Sequence, residues 1–148
     1  MEGPTLRHVT IPDLRVILEE LDDFWSEERD MGFLHQALYV HEFGEISVLA
    51  QCDGRIVGYL LGVLGLGGVG YIHAVAVRRQ ARGEGLGRAM YERFEQQVRA
   101  RGASSLKAIT QPENLGSRAF HEALGFGVEE VAGYSPSGGT RLVFRRAL

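Results

Sequence analysis

The sequence predicts an α/β domain on a mixed sheet, from three observations. Two β-rich runs flank Asp53-Gly54, a strong short hairpin signal. Leu86, Met90, Phe94 and Val98 recur at helical spacing, and Gly102 follows as a stop. Strand-like and helical segments then alternate to the end of the chain, in the order β-α-α-β-β-β-α-β-α-β-β.

The elements follow in order. "TLRHV" reads as a short strand. Thr10 is then a helix N-cap, with Asp13 three residues on to cap back and Pro12 tolerated in the first turn. Leu14, Ile17, Leu18, Leu21, Phe24 and Trp25 form one apolar stripe, with Phe24 and Trp25 as its continuation into the core. A second helix is expected within "FLHQALYVHEF". The hairpin follows, then the Gly-rich connector "GLGGVG" and a strand "VGYIHAVAV". A helix from about Gly85 to Arg101 comes next, then the strand "SSLKAIT" and the helix "NLGSRAFHEAL". "GVEEVAG" and "TRLVFRRAL" close the chain as strands around the turn "YSPSGG".

No repeat or linker divides the 148 residues, so one domain spanning residues 1–148 is expected, long enough to bury a core. The net charge of -3 argues against nucleic acid or an anionic membrane as a partner. No apolar run approaches the ~20 residues of a membrane helix, and "MEGPTLRHV" has no basic-then-apolar leader. The single Cys52 allows neither an internal disulfide nor a Cys-rich metal site. It reads as a small strand residue. A cytoplasmic protein without a metal is the expectation.

The most informative stretch is "VAVRRQARGEGLGRAM". A strand ending at Val77 runs through a basic turn into Gly83, Gly85 and Gly87, where a helix starts. Glycines let backbone approach a ligand closely, and free amides at a helix start bind anions. Arg78, Arg79, Arg82 and Arg88 add positive charge, against the single Glu84. A phosphate-bearing ligand is the natural reading. No G-x-x-x-x-G-K-[ST] occurs, and the G-x-G-x-G spacing after a hairpin disfavours a dinucleotide fold.

The turn Arg82-Gly83-Glu84-Gly85-Leu86-Gly87 resembles the Q/R-x-x-G-x-G/A motif of the GNAT superfamily of acyl-CoA-dependent N-acetyltransferases. "NLGSRAFHEALGF" is similar to a second motif of that family in loose form, and the order of elements also corresponds over nearly the whole chain. The resemblance implies a GNAT-type sheet, mixed and mostly antiparallel, flanked by helices. It implies acetyl-CoA as co-substrate, with the pyrophosphate on amides from Gly83 to Arg88 (Gly83, Glu84, Gly85, Leu86, Gly87, Arg88) after Arg82. It implies that the backbone of Val75, Ala76 and Val77 pairs with the pantetheine arm, and that Asn114 contacts CoA near it. A homodimer is common in the family.

At about 100° per residue, Leu115, Ala119, Phe120, Ala123 and Leu124 centre on one side of the last helix. His121 falls opposite, on a stripe with Asn114 and Ser117. Family members often carry at this position a Tyr that acts as general acid toward the CoA sulfur. His is a chemically competent replacement, with a pKa of about 6.5 against about 10 for Tyr; a surface histidine is the plain alternative. For the base that deprotonates the amine, His73 on "YIHAVAV" is the first candidate, with Tyr71 and Glu113 as others. The segment "EELDDFWSEERD" places Glu19, Glu20, Asp22, Asp23, Glu27, Glu28 and Asp30 against Arg29. In the family this region borders the acceptor entrance, where an acidic rim would attract a cationic amine. Trp25 joins that pocket if the helix ends before it.

The expected function is transfer of an acetyl group from acetyl-CoA to a primary amine, of a small molecule, a lysine or a polypeptide N-terminus, by direct attack in a ternary complex. The rival is a catalytically silent CoA-binding regulatory module of the same fold.

Overall fold

In a computed structural model of the chain, residues 3–25 and 31–148 are described. A seven-stranded sheet comprises β1 (Thr5–Arg7), β2 (Val48–Cys52), β3 (Arg55–Gly65), β4 (Val69–Val77), β5 (Ser105–Thr110), β6 (Gly127–Val131) and β7 (Arg141–Ala147). Its spatial order is β1-β2-β3-β4-β5-β7-β6, and every neighbouring pair is antiparallel except β4 with β5. The helices are α1 (Ile11–Glu19), α2 (Leu21–Phe24), α3 (Ala37–Phe43), α4 (Leu86–Arg99) and α5 (Leu115–Ala123). The expected mixed, mostly antiparallel sheet and order of elements are present.

Local chemistry explains the boundaries. The Thr10 amide and hydroxyl both donate to Asp13 Oδ2 at 2.8 Å, which starts α1. Arg7 grips the same carboxylate with two nitrogens at 2.7 and 2.8 Å, tying β1 to the helix. At the β2–β3 hairpin, Asp53 and Gly54 both take positive φ, as a primed turn requires. The single apolar stripe expected from Leu14 to Trp25 is broken at Glu20 into α1 and α2. Leu14, Ile17 and Phe24 face the core, whereas Leu18 is exposed. The second expected helix begins late, at Ala37, after a 3-10 turn over Gly32–Leu34.

Two apolar layers sandwich the sheet. On one face α4 buries Leu86, Met90, Phe94 and Val98 against β2 to β7. Each such side chain contributes about 1.5–3 kcal/mol. The fit is close: a Cβ on Gly62 of β3 would meet the Phe94 ring at 2.3 Å. On the other face Leu14, Ile17, Phe24 and Val40 pack on Leu49, Tyr59, Leu61, Ala74 and Ala76.

Two irregularities shape the centre of the sheet. Opposite β3, Leu61 pairs with Ala74 and Gly62 with Ile72, leaving His73 as an extra residue on β4. The Gly62 amide turns to Ser47 Oγ instead, at 3.1 Å. Ile72 and Val75 then face the α4 layer, while Ala74 faces the α3 layer. The second irregularity is a split. β4 and β5 pair only over four residues, from Val69↔Ser105 to Ile72↔Ala108. Beyond that point β4 continues through His73–Val77 and β5 through Ile109–Thr110 with no ladder between them.

Candidate active site

The split is a wedge whose vertex is at His73, and one wall is the β4 backbone from His73 to Val77. Val75 and Val77 aim partly buried side chains at the α4 layer, and Ala76 is buried in the opposite one. Side-chain packing and an unpaired backbone edge therefore coexist on one strand.

The mouth of the wedge leads to the start of α4. Gly83 and Gly85 both have φ of +81°, and Gly85 is the left-handed N-cap of α4. No side chain caps this helix. Among the described residues the amides of Gly83, Glu84, Gly85, Leu86, Gly87 and Arg88 have no protein acceptor. Six successive unpaired amides at the positive end of a 14-residue helix form an anion cradle. A hollow of about 370 Å³ adjoins it, between this turn and Phe120 and Ala123 of α5 with Leu124 just beyond. A Cβ on Gly87 would press on the Phe120 ring at 3.2 Å, so the glycine admits α5 beside the cradle.

The arginines of the turn do not act together, as their spacing led one to expect. Arg78 is 2% exposed and runs inward. Its Nε donates to the Ile56 carbonyl at 2.9 Å, and its Nη1 pairs with Asp23 at 2.6 Å and Glu20 at 3.0 Å. Its guanidinium lies 4.6 Å from the centre of the Phe24 ring. Arg82 donates to the Val77 and Phe24 carbonyls, and Arg79 to the Trp25 carbonyl. Arg88 alone of the four is exposed with no partner among the described residues. Backbone amides, more than charge, characterise this cradle. Asn114 caps α5: its Oδ1 accepts from the Ser117 amide at 3.1 Å and its Nδ2 donates to Thr110 Oγ1 at 3.2 Å. It stands at the end of β5, on the far side of the wedge from Val75.

His73 is held in one tautomer. Its Nε2 lies 2.8 Å from the Leu34 carbonyl, which only accepts, so Nε2 carries the proton. Nδ1 keeps its lone pair and has no partner among the described residues. The ring stacks on Tyr39 at 4.0 Å. Burial lowers its pKa, partly offset by the Leu34 bond, so the ring is neutral at pH 7. Tyr71 is pushed up to about 12 by burial and by Tyr134 and Tyr39 nearby; it is a proton donor and not a base at neutral pH. Glu113 is exposed next to the Asn114 cap.

His121 requires a correction. It is 4% exposed, whereas Leu115, placed on the apolar side by periodicity, is 71% exposed. Its ring stacks on Phe144 of β7 at 4.0 Å with an interplanar angle of 3°, and Phe120, Phe126 and Tyr91 surround it edge-on. The Ser117 carbonyl, 2.7 Å from Nδ1, fixes the ring proton there. Nε2 then accepts from the buried Tyr91 hydroxyl at 2.7 Å. With both nitrogens satisfied, the imidazole is buried as an aromatic ring at little cost, and burial lowers its pKa. Periodicity counted it as polar and so rotated the buried face: Phe120 and Leu124 do pack on the core, but beside His121 rather than beside Leu115 and Ala119.

The helix does end before Trp25, whose partly buried ring still packs against the core layer that holds Phe24 and Tyr59. Glu20 and Asp23 face Arg78, and Asp23 also meets Arg55, so they are not a free acidic rim; Glu19 and Asp22 are exposed. Glu27, Glu28 and Asp30 lie outside the described residues. Cys52 is partly buried at the end of β2. Among the described residues no cluster of potential metal ligands occurs, and no helix is long and apolar enough to cross a membrane.

The fold, the wedge and the amide cradle now meet a direct comparison. The model of the acetyltransferase (GNAT) family matches residues 14–126. The chain belongs to this family. The family is one of acetyltransferases. It is similar to L-2,4-diaminobutyric acid acetyltransferase of Nocardia farcinica, 30% identical over 89 residues, which cover 59% of this chain and 46% of the relative. The matched region thus spans under half of that relative's length. Among solved structures, Ard1 from Thermoplasma volcanium superposes with a TM-score of 0.83 at 18% identity, covering 99% of both chains. The acetyltransferase yncA of Salmonella typhimurium, solved with its cofactor acetyl-CoA, gives a TM-score of 0.75 at 18% identity over 99% of this chain and 95% of its own. These two likenesses concern the GNAT fold.

Beyond the glycine turn, three features of the site had no signal in local sequence: the bulge at His73, the Tyr39 ring beneath it and the Leu34 carbonyl that fixes its proton. Each is a contact between segments distant in the chain.

Proposed function

We propose that this GNAT enzyme moves an acetyl group from acetyl-CoA to a primary amine by direct attack in a ternary complex. The observation that carries the reading is the wedge, with a neutral imidazole at its vertex and unpaired amides at its mouth. In this reading the amides from Gly83 to Arg88 hold the pyrophosphate, and the β4 edge at Val75 to Val77 pairs with the pantetheine arm. Asn114 sets the opposite wall. The Arg82 side chain braces the turn through the Val77 carbonyl, leaving Arg88 as the side chain that meets phosphate charge.

The chemistry then follows from His73. An amine is protonated at neutral pH and must lose a proton to attack. Nδ1 of His73, neutral and unpartnered, accepts it. The amine nitrogen bonds to the thioester carbon, the carbon–sulfur bond breaks, CoA leaves as a thiolate, and the second proton lost by the nitrogen passes to that thiolate or to water. A thiol has a pKa of about 8.5, so this leaving group needs little help from an acid. Here we assign His121 to packing in place of the acid's role, because its one N–H is held by the Ser117 carbonyl. Juxtaposing thioester and amine supplies much of the acceleration.

A panel of L-2,4-diaminobutyrate, spermidine and a peptide with a free alanyl N-terminus, followed by thiol release, tests the reading. Acetyl-CoA binding by calorimetry is measured in parallel. Turnover of at least one amine supports it; tight acetyl-CoA binding with no turnover on a wider amine panel would leave the silent-module reading in its place.

A further inference from the structure

One buried hydroxyl near the site has a more defined environment than core packing requires. Tyr59 of β3 is fully buried, and its oxygen makes two hydrogen bonds. The Trp25 indole N–H donates to it at 2.7 Å. His35, 3% exposed, stands 2.7 Å away through Nε2. His35 Nδ1 is 2.6 Å from the Met31 carbonyl, so Nδ1 carries the proton and Nε2 accepts. The Tyr59 proton therefore points to His35, and the indole N–H fills the opposite side of the oxygen. The next residue back from His35 is Leu34, whose carbonyl accepts the Nε2 proton of His73.

We infer that Tyr59 is a positioning residue for His73, acting through His35 and the Leu34 carbonyl. The chain Trp25–Tyr59–His35 fixes the backbone at residues 34 and 35 on β3. That fixed carbonyl keeps the His73 proton on Nε2 and leaves the Nδ1 lone pair available. Tyr59 touches no substrate in this scheme. Its catalytic consequence rests on the reading of His73 as the base, while the structural link does not.

The test uses Tyr59→Phe and His35→Phe, which keep an aromatic ring at each position and delete the hydrogen bonds. Nitrogen-15 NMR of the His73 ring reports which nitrogen carries the proton. The parent is expected to show a protonated Nε2 and a bare Nδ1; each variant is expected to show exchange between tautomers. With the fastest acceptor among L-2,4-diaminobutyrate, spermidine and the alanyl peptide, kcat should fall about tenfold, with the acetyl-CoA Kd within twofold. The double variant should be no worse than either single one, because both cut the same chain. If Tyr59→Phe does not fold, His35→Phe carries the readout alone. A His73 tautomer unchanged in the folded variants overturns the link. A lost tautomer with parental kcat overturns the positioning role. Parental turnover in His73→Ala overturns the base itself, and is read separately from the NMR result.

Discussion

His73 and His121 share much of their description. Each ring stacks at 4.0 Å, on Tyr39 and on Phe144 respectively. Each has its proton fixed by a backbone carbonyl, and burial lowers the pKa of both. They differ in the remaining nitrogen. In His121 it accepts from Tyr91; in His73 it has no partner among the described residues. His73 also stands where β4 leaves β5, while His121 lies over β7, on the far side of β5. Burial and a shifted pKa therefore do not tell the two rings apart. The unpartnered Nδ1 of His73 does, and the proposed role of His73 as base rests on it.

The largest expected effect tests that difference directly. His73→Ala should lower kcat by about a hundredfold or more, the range for losing a general base, with acetyl-CoA affinity little changed; stopped thiol release and calorimetry read the two. The pH profile adds the sign. His73 must be neutral to act, and its pKa is lowered in the folded state. Activity of the parent should hold at pH 7 and fall only as the pH drops below about 6.5, the ordinary value for His. His73→Gln should lose that limb.

The contrasting variant, His121→Ala, should cost about 2–4 kcal/mol of stability by leaving a cavity and an unpaired Tyr91 hydroxyl. Below its melting temperature its turnover should stay within threefold of the parent. A tenfold loss of kcat in the folded variant would return His121 to the chemistry. Next in size, Gly85→Ala forces a Cβ into a φ of +81°. That costs about 1–2 kcal/mol and should weaken acetyl-CoA binding roughly tenfold by disturbing the amide cradle.

A smaller effect separates the two rings by titration of stability. His35, His73 and His121 all have lowered pKa values when folded. The unfolded chain binds protons first, so their contribution is complete above about pH 6.5 and is lost as the pH falls through the folded values. His121→Phe removes one of these three groups, so urea unfolding of that variant should depend less on pH below 6.5. Equal dependence in parent and variant would mean that the imidazole is already exposed to protons in the native state.

What could be read from the residues followed physical locality. Asp53-Gly54 and the Leu86–Val98 stripe are decided within a few residues, and the structure has both. The glycine turn was legible for the same reason, since positive φ at Gly83 and Gly85 is a local demand. Arg78 was not. Four arginines look alike in sequence, yet this one finds Glu20, Asp23 and Phe24 more than fifty residues away. The burial of His121 was not legible because a hydropathy pattern scores an imidazole as polar, while its ring joins aromatic side chains from α4, β7 and the turn before β6. The His73 bulge depends on register with β3, which no property of "YIHAVAV" announces.

The split sheet has a mechanical meaning as well. Between β4 and β5, the halves β1–β4 and β5–β7 share a ladder of only four residue pairs. Like two pages bound by a short spine, they are joined at one end and apart at the other. A molecule seated between the pages becomes part of the binding. Its occupancy should therefore be written into the melting temperature of the chain by mass action, so that heat alone reports how full the book is.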